Sequence, residues 1–346
     1  MKRIAIVLFN LGGPDSPDAV RPFLFNLFND PAIIGLPQPF RWLLARVISS
    51  RRAPIAREIY QEIGGSSPLV ELTCAQGSAL QAALDRDGEV RVVMAMRYWH
   101  PMSDQAAAEV AAFEPDEVVL LPLYPQYSTT TSGSSIKDWR RAAERLGIEA
   151  PTVAVGCYPT ADGLVQAHAD LIERALSNME TDRPIRLLFS AHGLPKRVID
   201  AGDPYQWQVE QTAAAVRKVL ARDDLDSVVC YQSKVGRLEW IGPSTEDEII
   251  RAGRDGVALL VTPIAFVSEH SETLVELDIE YRAVAEKHGV PAYVRVPALG
   301  THPAFIDTLA TLVRDVRGKR GCISQDGTRL CPQSLTECAC AAALDV

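Results

Sequence analysis

The sequence predicts an α/β protein built as two Rossmann-like, doubly wound domains, each a four-stranded parallel sheet flanked by helices. Three observations predict it. Short apolar, β-branched runs alternate with longer amphipathic segments, the pattern of strands joined by crossover helices. Eight such runs occur, and they divide four and four. A chain of 346 residues, 47% hydrophobic and 23% charged, is long enough to bury two cores of ordinary size.

The first four runs, near 4–10, 90–98, 117–124 and 152–158, define a first domain over residues 1–158. The second four, near 186–191, 226–233, 256–266 and 292–299, define a second over 159–300. The halves look alike in architecture without an obvious internal repeat. Residues 301–316 read as a C-terminal helix packing back on the first domain. After Arg317 the apolar periodicity stops, and a tail rich in Gly, Ser, Gln and Cys fills 317–346. In doubly wound sheets, ligands bind beyond the carboxyl ends of the strands, so the residues that follow each run are the functional candidates.

Composition excludes several classes. A formal net charge of -9 argues against a nucleic-acid partner, which requires a concentrated basic surface. The first residues run straight into a strand-like segment, unlike a signal peptide. No apolar stretch reaches the ~20 residues of a membrane-spanning helix. A cytoplasmic location with reduced thiols is the expectation. Leu11-Gly12-Gly13-Pro14 follows the first strand, but it lacks the third glycine of a dinucleotide fingerprint, and proline interrupts it. No phosphate-binding loop, H-E-x-x-H pair or G-x-S-x-G elbow is present.

Two distant segments carry metal-capable side chains at strand ends. His192 closes the run 186–191 among the small residues Ser190, Ala191 and Gly193, which leave an imidazole open space. An isolated histidine is more often structural, but a neutral imidazole with pKa ~6.5 at a strand end can bind a divalent metal or accept a proton. Glu269, Glu272, Glu276 and Glu280 recur at intervals of three, four and four, which on a helix makes one acidic face. Such a face suits cation traffic or proton handling; the plain alternative is a solvated stripe. The segment 124–135 is dense in hydroxyls, and Arg97 offers a guanidinium suited to a carboxylate. Lys234 and Trp240 add a cation and a flat aromatic from the other half. Together these suit a broad, planar, carboxylated ligand.

The motifs Asn10-Leu11-Gly12-Gly13-Pro14, Ile63-Gly64-Gly65-Ser66-Ser67-Pro68, Arg97-Tyr98, Tyr124-Pro125-Gln126-Tyr127-Ser128, Ser190-Ala191-His192-Gly193-Leu194-Pro195 and Gln232-Ser233-Lys234-Val235-Gly236, with the segment 268–281, occur in one order over residues 4–316. In that order they resemble the ferrochelatase family, lyases that insert Fe(II) into a porphyrin late in haem synthesis. The resemblance implies the chelatase fold, with the two domains facing across a porphyrin cleft. It places the family's invariant histidine on His192 and its catalytic glutamate on Glu272. Glu269, His270, Glu276 and Asp278 fall in the adjoining acidic relay. Asn10, Leu11, Arg97, Tyr124, Ser128, Lys234 and Trp240 fall at porphyrin-contacting positions. Glu269 stands where the family often has aspartate, and Leu11 where some members carry methionine.

Seven cysteines suggest a second centre. Cys331, Cys338 and Cys340 form C-x6-C-x-C in the tail, and Cys157 at the end of the fourth run offers a distant fourth thiolate, with Cys322 as rival. Four thiolates suit zinc or an iron–sulfur cluster. The resemblance implies a [2Fe-2S] cluster on the tail, as in the family's cluster-bearing bacterial members, and a chain that is a monomer or a homodimer. Residues 23–28 and 33–48, with Arg41, Arg46, Arg51 and Arg52 interleaved, read as a lip able to touch anionic lipid at the inner membrane face. The competing readings are a cobalt or nickel chelatase on the same fold, and a porphyrin- or haem-handling protein without turnover.

Overall fold

Residues 4–9 form an unbroken apolar run with every side chain buried, which only a central strand of a parallel sheet covered on both faces can accommodate. In the computed structural model, which describes residues 2–236 and 238–341, that run lies in β1 (Arg3–Asn10). It is followed by α1 (Val20–Phe28), α2 (Phe40–Gln61), α3 (Leu69–Ala83), β2 (Glu89–Met96), α4 (Ser103–Phe113), β3 (Glu117–Pro122), α5 (Ser132–Arg145) and β4 (Thr152–Val155). All strand pairs of this first sheet are parallel, in the order β2-β1-β3-β4-β9.

The fifth strand corrects the expectation of four. β9 (Gly321–Ile323) comes from the tail and pairs with β4, aligning Cys322 with Ala154. Gly156 N then donates to Ile323 O at 2.7 Å, so the tail closes an edge that β4 would otherwise expose.

The second sheet, in the order β6-β5-β7-β8, is also all parallel. Its elements run α6 (Asp162–Ser177), β5 (Ile185–His192), α7 (Lys196–Asp200), α8 (Tyr205–Leu220), β6 (Asp226–Gln232), α9 (Thr245–Asp255), β7 (Ala258–Pro263), a π-helix (Glu272–Glu280), α10 (Tyr281–Lys287) and β8 (Tyr293–Arg295). Helix boundaries follow local chemistry. At the start of α9, Ser244 Oγ accepts from Asp247 N at 3.1 Å, and three acidic residues fill the first turn. Gly256 ends that helix at φ 65°, a left-handed conformation that a β-carbon disfavours.

The chain divides into two units. The first comprises residues 1–157, 309–330 and 339–346; the second comprises 158–308 and 331–338. Helix α11 (Pro303–Val316) therefore contributes to both. Within the first unit, Arg314 at its C-terminal end pairs with Asp87 at 2.8 Å. Within the second, the backbone of α11 passes so close to Gly163 that a β-carbon there would overlap Ala304 O and Thr308 Oγ1.

Candidate active site

In the second sheet the chain leaves β5 for β6 on one side and later returns to β7 on the other. The β5–β7 boundary is thus a topological switch point, where a crevice opens beyond the strand ends. His192, the last residue of β5, stands at that point. Its Nδ1 lies 2.9 Å from Glu272 Oε2, and the two side chains are 37% and 28% exposed. Tyr205 Oη donates to the His192 carbonyl at 3.1 Å and anchors the strand end. Beside them, Gly193 N donates to Gln232 O, and a β-carbon at Gly193 would lie 3.2 Å from Trp240 Cε3. The indole therefore packs directly on the backbone next to His192, and Trp240 Nε1 is held by Val235 O at 3.1 Å.

The acidic stretch after β7 is a π-helix, not the α-helix that its three- and four-residue spacing suggests. The π-turn, bonded i to i+5, is wider than an α-turn, so residues four apart stay on one face. Glu272, Glu276 and Glu280 form that row, with Glu280 exposed. Glu276 is the most elaborately held: it accepts from Ser233 N at 2.8 Å, Ser233 Oγ at 2.5 Å, Gln232 Nε2 at 3.0 Å and Tyr281 Oη at 3.1 Å. Ser233 reaches it from φ 64°, a strained value for a residue with a β-carbon. Gln232, Ser233 and Tyr281 lie inside motifs the sequence displays but carry no individual role there, and Tyr205 lies in none of them. Positive φ leaves no mark in the sequence when serine rather than glycine adopts it.

Glu269 sits outside the row. It accepts from Arg295 Nη1 at 2.8 Å, Ala298 N at 3.0 Å and Thr273 Oγ1 at 2.5 Å. His270 is buried, with Nε2 3.8 Å from Glu272 Oε2 and with Nδ1 lacking a hydrogen-bond partner among the described residues.

These environments drive neighbouring groups apart in acidity. Burial disfavours a charged His192, but the charge and hydrogen bond of Glu272, helped by Glu276, outweigh it and raise its pKa. Burial likewise opposes ionisation of Glu272, yet His192 and His270 pull its carboxyl down to about 2. Burial and the negative Glu272 push Glu276 above the ordinary carboxylate range, against the hydrogen bonds from Ser233 and Gln232. Burial keeps His270 below the ordinary imidazole value despite the nearby glutamates. The result is an ionised carboxylate between a basic imidazole and a carboxyl that readily holds a proton.

The first unit has its own switch point between β1 and β3, and residues proposed from sequence gather there. Leu11 and Tyr124 keep partial exposure. Asn10 is buried and committed to Thr73 Oγ1 and Leu11 N, and Ser128 is buried against Thr130. Arg97 turns inward: Nη2 is 2.8 Å from buried Asp30, Nε donates to Ser134 at 2.7 Å, and Asp30 also accepts from Tyr98 Oη at 2.8 Å. In the second unit, Lys234 is exposed just after Ser233.

Of the cysteines, Cys157, Cys322 and Cys340 pack in one apolar cluster of the first unit. A β-carbon at Gly156 would lie 2.7 Å from Cys322 Sγ and 3.1 Å from Cys340 Sγ. Cys331 and Cys338 belong to the second unit, where buried Gln208 Nε2 donates to Cys331 Sγ at 3.1 Å. Among the described residues, no three His, Cys, Asp or Glu side chains are arranged to hold a single metal ion.

Parallel sheets and an imidazole–carboxylate chain at a switch point define an α/β protein of the metal-chelatase type. The solved structure titled "SirB from Bacillus subtilis with Fe3+" shares the fold, with a TM-score of 0.51 at 12% identity over 92% of this chain and 96% of that one. The family model described as Ferrochelatase matches residues 3–316. A ferrochelatase of Caulobacter vibrioides (strain NA1000 / CB15N) is 55% identical over 98% of both chains, as is one of Phenylobacterium zucineum (strain HLK1). The chain belongs to the ferrochelatase family, ferro-lyase enzymes that insert ferrous iron into a porphyrin to make haem.

Proposed function

We propose that His192 and Glu272 are the centre at which this chain exchanges the two pyrrole protons of a porphyrin, protoporphyrin IX or a close analogue, for Fe(II). The observation that carries this reading is the 2.9 Å contact between His192 Nδ1 and Glu272 Oε2 at the β5–β7 switch point. With Nδ1 engaged, the imidazole presents Nε2 to the substrate. Neutral His192 accepts a pyrrole proton there, and ionised Glu272 orients the ring and stabilises the imidazolium. Glu276, whose carboxylate burial and the neighbouring Glu272 charge make a stronger base than an ordinary one, takes the proton next, and exposed Glu280 leads it to water. The Nε2 lone pair holds either a proton or iron, so clearing the proton along this row readies the pair for metal. His270 and Glu269 frame it.

Leu11, Tyr124, Lys234 and Trp240, which keep exposed surface, are the proposed porphyrin contacts. Asn10, Arg97 and Ser128, already occupied by internal bonds, shape the wall from behind. Anaerobic incubation with Fe(II) and protoporphyrin, followed by loss of porphyrin fluorescence, tests the assignment. His192→Ala and Glu272→Ala should each abolish insertion while leaving the fold intact. Retained turnover in either would remove the pair from the chemistry.

A [2Fe-2S] cluster on Cys157, Cys331, Cys338 and Cys340, with Cys322 as rival, belongs to the same reading. Each iron of such a cluster takes two thiolates, and the packing of Cys157 and Cys340 in one apolar cluster and the amide donated to Cys331 Sγ suit that chemistry. When bound it would supply a redox-responsive, one-electron centre. Iron and sulfide analysis of anaerobically purified protein finding neither would defeat it.

Peripheral contact with an anionic bilayer is proposed for α2, where Phe40, Leu43 and Ile55 are 65%, 58% and 62% exposed among arginines. Among the described residues no helix is long and apolar enough to cross a membrane. Absence of co-sedimentation with anionic liposomes at low salt would dispose of this contact.

A further inference from the structure

We propose that Cys322 and Cys340 form a redox-active thiol pair that closes to a disulfide under two-electron oxidants such as peroxide. The geometry points to it. Cys322 is fixed by β9, whose pairing with β4 sets it level with Ala154. Cys340 follows buried Ala339 in the same apolar cluster. Both sulfurs lie within 3.1 Å of one point above Gly156, the position a β-carbon would occupy. The glycine is what admits them: a side chain at 156 would displace both sulfurs.

The pair differs in access. Cys340 is partly exposed and Cys322 is buried, so an oxidant reaches Cys340 first. Its thiolate attacks the peroxide O–O bond, giving a sulfenic acid and one water. The Cys322 sulfur then attacks that sulfenic sulfur, the S–S bond forms, and the hydroxyl leaves with the thiol proton as a second water. Two electrons pass from the two sulfurs to peroxide, and no other reactant is needed. Transient disulfides of this kind are the form expected in a reducing compartment. The inference does not require the iron–sulfur centre. A cluster that engages Cys340 would protect it, and loss of the cluster would expose the pair, so the disulfide would spare Cys340 from irreversible oxidation.

The test is peroxide treatment of the full-length, natively folded protein, with iron and sulfide measured on the same sample. Acid quench, alkylation and peptide mass mapping follow. The expected result is a peptide cross-linked through Cys322 and Cys340, with alkylation of both falling about tenfold in cluster-free protein. Cys230, buried and with its thiol pushed up to about 12, should stay reduced as the internal control. In Cys322→Ser the cross-link should vanish and Cys340 should advance to sulfinic acid. Cluster-free wild-type protein in which both residues remain alkylatable, or in which Cys340 joins a different cysteine while Cys322 is alkylated, overturns the proposal. Wild-type mapping alone decides this, so a variant that folds poorly does not obscure the answer. Absence of iron and sulfide from anaerobically purified protein before peroxide is added, followed by the cross-link after it, would defeat the cluster reading and leave this one standing.

Discussion

Glu269→Ala separates a carboxylate that builds the site from one that acts in it. Glu269 and Arg295 are 21% and 11% exposed, and Glu269 accepts from Arg295, Ala298 N and Thr273. Removing one partner of a buried, hydrogen-bonded ion pair costs ~3–5 kcal/mol. Asp278 Oδ2 stays 3.2 Å from Arg295 Nε and keeps part of that, so the net loss should be ~2–3 kcal/mol. At ~2 °C per kcal/mol for a chain of this size, the melting temperature should fall ~4–6 °C. Insertion at a temperature where the variant is folded should fall less than about tenfold, because Glu269 does not touch the His192–Glu272 pair. Thermal unfolding followed by circular dichroism, beside steady-state porphyrin metallation, reads both quantities. A variant that melts within about 1 °C of the parent but loses about a hundredfold in kcat at unchanged KM would refute the reasoning and place Glu269 in the chemistry.

Four further outcomes follow from the structure. Because His192 must be neutral to accept a proton and Glu272 raises its pKa above the usual 6.5, kcat/KM should rise with pH through a limb above that value; Glu272→Gln should move the limb to lower pH, and an unmoved limb would break the link. The pair's contribution to stability has two edges: the lowered Glu272 carboxyl contributes above pH 4.5 and loses this as pH falls towards about 2, while raised His192 contributes below 6.5 and loses it as pH rises through its folded value. Denaturant midpoints of parent and Glu272→Gln should therefore differ most between those two values. Arg97→Ala strands buried Asp30 with only neutral donors and should cost ~3–5 kcal/mol in urea unfolding, with Arg97→Lys a poor rescue because both Nε and Nη2 are used. Gly163→Ala should cost ~1–3 kcal/mol and speed amide exchange in the first turns of α11, since its methyl overlaps Ala304 and Thr308.

Much of this architecture is legible in the sequence because it rests on local signals. The eight apolar runs announce strands, and the strand order makes their ends into crevices, which is why His192 and the residues around Glu272 stand out before any coordinates. The π-helix is hidden because a spacing of four residues satisfies an α-turn and a π-turn alike. Arg97 reads as a substrate cation because nothing local reveals Asp30, which reaches it only through tertiary packing. Glu269 reads as part of the acidic row for the same reason: Arg295, its partner, comes from β8. The three residues of β9 are too few to show periodicity and are strand only by virtue of β4.

That last strand has a consequence for how the protein is made. The second unit occupies one nearly continuous stretch of chain, whereas the sheet of the first is complete only when Gly321–Ile323 has been synthesised. At ~5–20 residues per second, the ribosome takes roughly 10–30 s to travel from β4 to β9. Throughout that interval the nascent first sheet carries an unpaired edge at Thr152–Val155, open to pairing with any other extended chain. The enclosed unit thus has the opportunity to fold first, and a strand made after it seals the first-made sheet.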